Sequence, residues 1–128
     1  MSRAEQLRAL AAQWNDAWNS RDAAKLSAFF ADDGTYYEPS MSEPGPGKAA
    51  VAKSATSTWA DWPSATFETV SVTVDGDRVA LEWKSSATHT SGTDVNLEGV
   101  DILEFSGEKI AIARVYYDRH SRYQAIEK

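Results

Sequence analysis

The chain divides at Trp62-Pro63. Before that dipeptide apolar side chains return at helical spacing; after it they alternate, one in and one out, as half-buried strands require. A helical half followed by a strand half implies an α+β arrangement, with helices packed on one face of a twisted antiparallel sheet.

In the first half, Ser2 followed three residues later by Glu5 forms a capping box. Leu7, Leu10, Ala11, Trp14, Ala17 and Trp18 then share one face of a long first helix. The turn at 19–22 ends it. Asp22 caps a short second helix that buries Leu26, Phe29 and Phe30 and is broken at 31–34, where Asp32 and Asp33 terminate it. A short strand over 35–38 follows. The loop over 39–47 holds three of the four prolines, and a third helix runs from 48 to 62, where the residue before a proline leaves the helical region. Beyond Pro63 the alternation gives four strands, over 67–74, 79–89, 95–105 and 110–118, joined by polar turns into a meander. With 128 residues the chain forms one domain over 1–128, large enough for a core without metal or disulfide staples. The sheet is expected to curl into a cone around the N-terminal helices and leave an apolar pocket closed at one end.

Five Trp, five Tyr and four Phe are many for this length, so rings are expected to line that pocket. The net charge is −6 and no basic stripe is present, which argues against a nucleic-acid partner. The absence of Cys removes disulfides and thiol catalysis. The charged, amphipathic N-terminus does not read as a secretion signal, and no segment is apolar enough to span a bilayer; a soluble cytoplasmic protein is the expectation.

Alternation assigns the inner faces of the strands. Val79, Leu81, Trp83, Ser85, Ala87 and His89 share one face of their strand, and Val95, Leu97, Gly99, Asp101, Leu103 and Phe105 share one face of the next. Asp101 therefore stands on an apolar face, where an ionised, unpaired carboxylate is costly; it must find partners or become neutral. On the short strand Tyr36 and Glu38 share a face. Two carboxyls in one apolar pocket are how a site separates a proton acceptor from a protonated hydrogen-bond donor, and the chemistry this favours is proton transfer beside a carbonyl.

The stretches WNDAWNSRDAAKLSAFFADDGTYYEP, EGVDILEFSGEKI and RVYYD resemble the nuclear transport factor 2-like superfamily, in the branch holding ketosteroid isomerases and SnoaL-like polyketide cyclases. The likeness spans nearly the whole chain. It implies that Glu38, immediately before a proline, falls on the isomerase general base. It also implies that Asp101 falls on the aspartic acid of the isomerase oxyanion hole, a carboxyl kept protonated by its apolar surroundings. The isomerase's second oxyanion donor, a tyrosine on the first helix, is matched here by Trp14. Beside the cyclases, His89 resembles a pocket histidine, with Asp101 again the acid/base group. Beside limonene epoxide hydrolases, Trp83 and Ser85 stand where an Arg and an Asp would be required, and that chemistry is set aside. Trp14, Trp18, Tyr36, Trp59, Trp62, Trp83 and Tyr117 are the candidate pocket wall, with Tyr116 facing outward. Asp118 closes the RVYYD signature as a strand-end cap, and His120 falls in a polar tail.

Two histidines 31 positions apart form no metal-ligand spacing, and no glycine-rich turn opens a helix, so no metal or cofactor is expected. Val100 and Ile102, with Ile110 and Ile112 on the neighbouring strand, are read as apolar residues on the outer sheet face, suited to a homodimer. The leading expectation is a cofactor-free enzyme acting on a small hydrophobic carbonyl compound, with Glu38, Asp101 and His89 as catalytic candidates. The alternative is a non-catalytic ligand-binding or assembly module of the same fold.

Overall fold

The computed structural model describes residues 1–118; His120 lies outside them. Three helices, α1 (Arg3–Asn19), α2 (Ala23–Ala28) and α3 (Gly47–Asp61), pack against one six-stranded sheet of β1 (Phe30–Tyr37), β2 (Gly45–Pro46), β3 (Thr66–Asp75), β4 (Arg78–Thr88), β5 (Asp94–Ser106) and β6 (Lys109–Tyr117). The strand order is β2-β1-β6-β5-β4-β3. The helix starts follow from local chemistry. Ser2 Oγ accepts the Glu5 backbone N–H, and the Asp22 carboxylate accepts those of Ala24 and Lys25, satisfying donors that a helix leaves orphaned.

β3 to β6 form the expected meander, with Gly76 and Gly107 at positive φ in its two tight turns. The first half departs from the sequence reading in three places. α2 ends at Ala28, and Phe30 opens β1 rather than lying on the helix, so Asp32 and Asp33 belong to a strand. That strand bulges: Phe30 is level with Ile110 and Thr35 with Ile112, leaving 31–34 opposite a single residue. Gly34 makes the bulge possible, because a Cβ there would press on the backbone carbonyls of Ile110 and Ala31. β1 also pairs parallel to β6, which makes the sheet mixed rather than wholly antiparallel. Within the proline-rich loop, Gly45 and Pro46 form a two-residue strand against Thr35 and Tyr36.

A second irregularity, between Glu104 and Phe105 in the β5–β6 ladder, moves Ile110 to the inner face. Ile110 is fully buried in the core, so it is not part of the outer surface to which alternation assigned it. Val100, Ile102 and Ile112 are half-buried. The core fills the curl of the sheet with Leu7, Ala11 and Trp14 of α1, Leu26 of α2, Val51 and Ala55 of α3, and the inward residues of the strands. Among the described residues no helix is long and apolar enough to cross a membrane, and no group of three or more His, Cys, Asp or Glu is placed to hold a metal ion.

Candidate functional site

Asp101 points from the middle of β5 into the concave side of the sheet and is 5% exposed. Both of its oxygens are engaged by indoles: Trp14 Nε1 donates to Oδ2 at 2.9 Å and Trp83 Nε1 donates to Oδ1 at 2.8 Å. Burial pushes the carboxyl up to about 6, and the two indole N–H groups, which favour the charged form, hold it from rising further. Trp83 reaches Asp101 by lying across Gly99, its directly paired residue on β5; any Cβ at position 99 would overlap the indole ring. Trp14 reaches Asp101 from α1 and is completely buried behind it. Its N–H is spent on the carboxyl, so it neither lines the cavity nor faces a ligand, contrary to its placement in the pocket wall.

Glu38 follows the last residue of β1 and is 6% exposed. The Tyr117 hydroxyl donates to its Oε2 at 2.8 Å, the Ser40 backbone N–H donates to Oε2 at 3.2 Å, and the Ser40 hydroxyl donates to Oε1. Pro39 and the turn closed by Met41 N–H on the Glu38 carbonyl hold Ser40 in this capping position. Tyr36, two residues back on the same face, is buried, and its hydroxyl shares one long hydrogen bond, 3.3 Å, with Ser54 Oγ. Burial keeps this phenol well above its ordinary value, and the nearby Asp101 and Glu38 carboxyls push the same way. It remains a neutral O–H donor at every working pH.

Glu38, Tyr36, Tyr117 and Asp101 face one cavity, whose other walls include Trp18, Trp62, Phe67, Trp83, Leu97 and Val115. Two carboxyls from strands far apart in sequence thus share one largely apolar space. Of the expected pocket residues, Trp18, Tyr36, Trp62, Trp83 and Tyr117 line it. Tyr116 is 44% exposed on the opposite face, its ring tilted against Tyr37.

Trp59 and His89 are not part of this wall. Trp59 donates from Nε1 to the Trp18 carbonyl, and the Arg21 guanidinium stands over its ring. β4 stops at Thr88, which puts His89 in the turn to β5 instead of on the strand's inner face. There its Nδ1 accepts the Ser91 backbone N–H, and its ring packs edge-on against Trp62 with centroids 4.8 Å apart. The structure therefore brings Glu38 and Asp101 to one cavity and leaves His89 outside its wall. Asp118 follows β6 and is exposed. Missing from the sequence reading was Ser40, because nothing in Glu-Pro-Ser marks a side chain that turns back onto the carboxylate two residues earlier. Asn15, which also lines the cavity, was hidden by its place among apolar neighbours on α1.

A curled sheet closed by helices, holding paired carboxyls in an apolar hollow, defines the class as an α+β cone of the nuclear transport factor 2-like type. A SnoaL-like domain model matches residues 11–113, and the chain belongs to that family. Among solved structures, a candidate SnoaL-like polyketide cyclase from Jannaschia sp. CCS1 superposes with a TM-score of 0.86 at 14% identity, over 95% of this chain and 92% of that one. AclR, a candidate hydroxylase from Streptomyces galilaeus, gives 0.84 at 23% identity over 99% and 87%. A protein of ketosteroid isomerase-like fold from Catenulispora acidiphila DSM 44928, solved with trimethylamine, gives 0.82 at 21% over 91% and 90%. At these identities the likeness is one of fold. No curated protein matches the chain.

Proposed function

We propose that the protein is a small cofactor-free enzyme that removes a proton from the carbon beside the carbonyl of an apolar compound, leading to isomerisation, aldol-type cyclisation or dehydration. The observation that carries this reading is the pair of carboxyls in one cavity, both deeply buried and each held by its own set of donors. Membership of the SnoaL-like family supports the same broad class of reaction.

In this reading Glu38 takes the proton, and the negative charge passes to the carbonyl oxygen. That oxygen accepts hydrogen bonds from the Tyr36 phenol and from the acid form of Asp101. The acid form keeps acceptor capacity on both oxygens, so Trp14 and Trp83 go on orienting it after protonation while its O–H turns to the cavity. An apolar substrate filling the cavity displaces water from around Asp101, raising the carboxyl beyond about 6 and favouring the donor form in the complex. Tyr117 and Ser40 fix the direction in which Glu38 presents its oxygens. In isomerisation the proton taken by Glu38 is returned to another carbon of the conjugated system; in cyclisation the enolate carbon bonds to a second carbonyl carbon of the substrate and the proton goes to the alkoxide so formed; in dehydration it leaves with the expelled hydroxyl as water.

The test follows conjugated-enone absorbance with β,γ-unsaturated ketones. General base catalysis is worth roughly 10²- to 10⁴-fold, so Glu38→Gln should lose about that much turnover while the fold is retained. Undiminished turnover in that variant refutes the assignment. The chain is further proposed to form a homodimer through Val100, Ile102 and Ile112 on the outer sheet face. These residues with Tyr116 make an apolar strip beside the Arg114–Glu104 ion pair, 3.1 Å apart.

A further inference from the structure

Four polar side chains of the cavity wall have no task in that reaction: Ser54, which is tied to Tyr36, the half-buried Thr58, and the two deeply buried ones, Asn15 and Ser85. Asn15 and Ser85 are 9% and 8% exposed, and both line the cavity. Asn15 Nδ2 donates to the Phe67 carbonyl at 3.0 Å. A carbonyl can only accept, which fixes the amide's orientation and leaves Asn15 Oδ1 turned away from it. Neither Asn15 Oδ1 nor Ser85 Oγ bonds to another described residue, yet among the described residues no inaccessible side-chain nitrogen or oxygen lacks a partner. Both atoms therefore keep accessible surface, and both residues line the cavity. They are also neighbours, because Ser85 is the cross-strand partner of Phe67, to which Asn15 is tied.

Ser85 stands well along the cavity wall from Asp101. Asp101 is level with Leu81 on β4, and Ser85 lies four residues further along that strand, roughly 13 Å at about 3.3 Å per residue. On β4 the inward side chain between the two levels is Trp83, and Leu97 stands level with Ser85 across on β5. No Lys, Arg or His among the described residues lines the cavity, so a carboxylate or phosphate would be buried there without a counter-charge.

Resting on the proton-transfer reading for the position of the reacting carbon, we infer that Asn15 and Ser85 form a recognition subsite for a neutral hydroxyl at the far end of a rigid substrate of two or three rings. A hydroxyl donates to Asn15 Oδ1 and accepts from the Ser85 hydroxyl, pairing both groups at once. A ketone or ether oxygen can only accept, and would leave Asn15 Oδ1 unpaired and cut off from water once the cavity is filled. The substrate class is a hydroxylated polycyclic ketone with its enolisable position at one end and its hydroxyl at the other.

The test uses 2-tetralone, 6-hydroxy-2-tetralone and 6-methoxy-2-tetralone as probes. Binding is read from quenching of tryptophan fluorescence, and proton transfer from deuterium uptake beside the carbonyl, with wild type and Ser85→Ala. One well-placed neutral hydrogen bond is worth roughly 3- to 10-fold in affinity. The hydroxylated probe should bind tighter than the other two by about that factor, and Ser85→Ala should erase most of its advantage. Equal binding of the three probes, or an advantage that survives in Ser85→Ala, overturns the subsite. Preferential binding without deuterium uptake upholds the subsite while refuting the proton-transfer reading; uptake without preference does the reverse.

Discussion

Replacing Trp83 by Phe removes one of the two hydrogen bonds that Asp101 accepts. Burial raises this group to about 6, and the indole N–H groups oppose burial. A hydrogen bond to a charged acceptor contributes about 1.5–3 kcal/mol, and one pH unit corresponds to about 1.4 kcal/mol. Losing the Trp83 bond should therefore lift Asp101 by about one to two pH units, to between about 7 and 8. Phe is smaller than Trp, and water entering beside it restores part of the lost solvation, which favours the lower end. The ¹⁵N–¹H signal of Trp14 Nε1 reports the titration directly, since that N–H touches the other carboxylate oxygen at 2.9 Å. Wild type should show a midpoint near 6 and Trp83→Phe one at least a full unit higher. A midpoint that stays put or falls would refute the claim that indole hydrogen bonds restrain this carboxyl.

The wild-type chain should itself become less stable as pH rises between about 4 and about 6. Asp101 holds its proton longer in the folded chain, titrating at about 6 against 3.8 for a solvated carboxyl, so the native state binds more protons over that window and loses about 3 kcal/mol across it. Urea denaturation at pH 4 and 7 with Asp101→Ala as reference isolates this contribution, and a pH dependence the same in both proteins would contradict it. Gly99→Ala should cost about 1–3 kcal/mol in the same assay by forcing Trp83 off its resting place; an unchanged midpoint would show that the ring shifts freely. Ile102→Glu should convert a dimer to a monomer in sedimentation, whereas a monomeric wild type would remove the proposed interface.

Much of this fold can be read from periodicity alone. The change at Trp62-Pro63, the inner face of β4 up to Ser85 and the inner face of β5 all emerge from alternation, because a strand with one buried face has a strongly specified register. Asp101 was visible for the same reason, as a charge out of place on an apolar face. The departures fall where a local irregularity resets the register. The bulge at 31–34 turned an apparent helix end into a strand, and the shift beside Phe105 carried Ile110 inward. His89 missed the cavity wall because its strand ended one residue before it. The indole pair around Asp101 lay beyond any local pattern, since it joins α1, β4 and β5 and depends on a glycine whose only role is to leave space.

The parallel pairing of β1 with β6 sets an order of events during folding. Glu38 belongs to the first third of the chain, whereas its partner Tyr117 stands at the end of the last strand. Everything from α3 to β5 must be laid down before those two groups meet, and closing so long a loop delays their encounter. A nascent chain emerging from the ribosome can build α1, α2 and the β3–β4 hairpin while Glu38 still waits for that partner. Assembly of the carboxylate pair then belongs to the closing step of folding, and a chain that stops short of β6 would carry both acidic side chains without bringing them to a common wall.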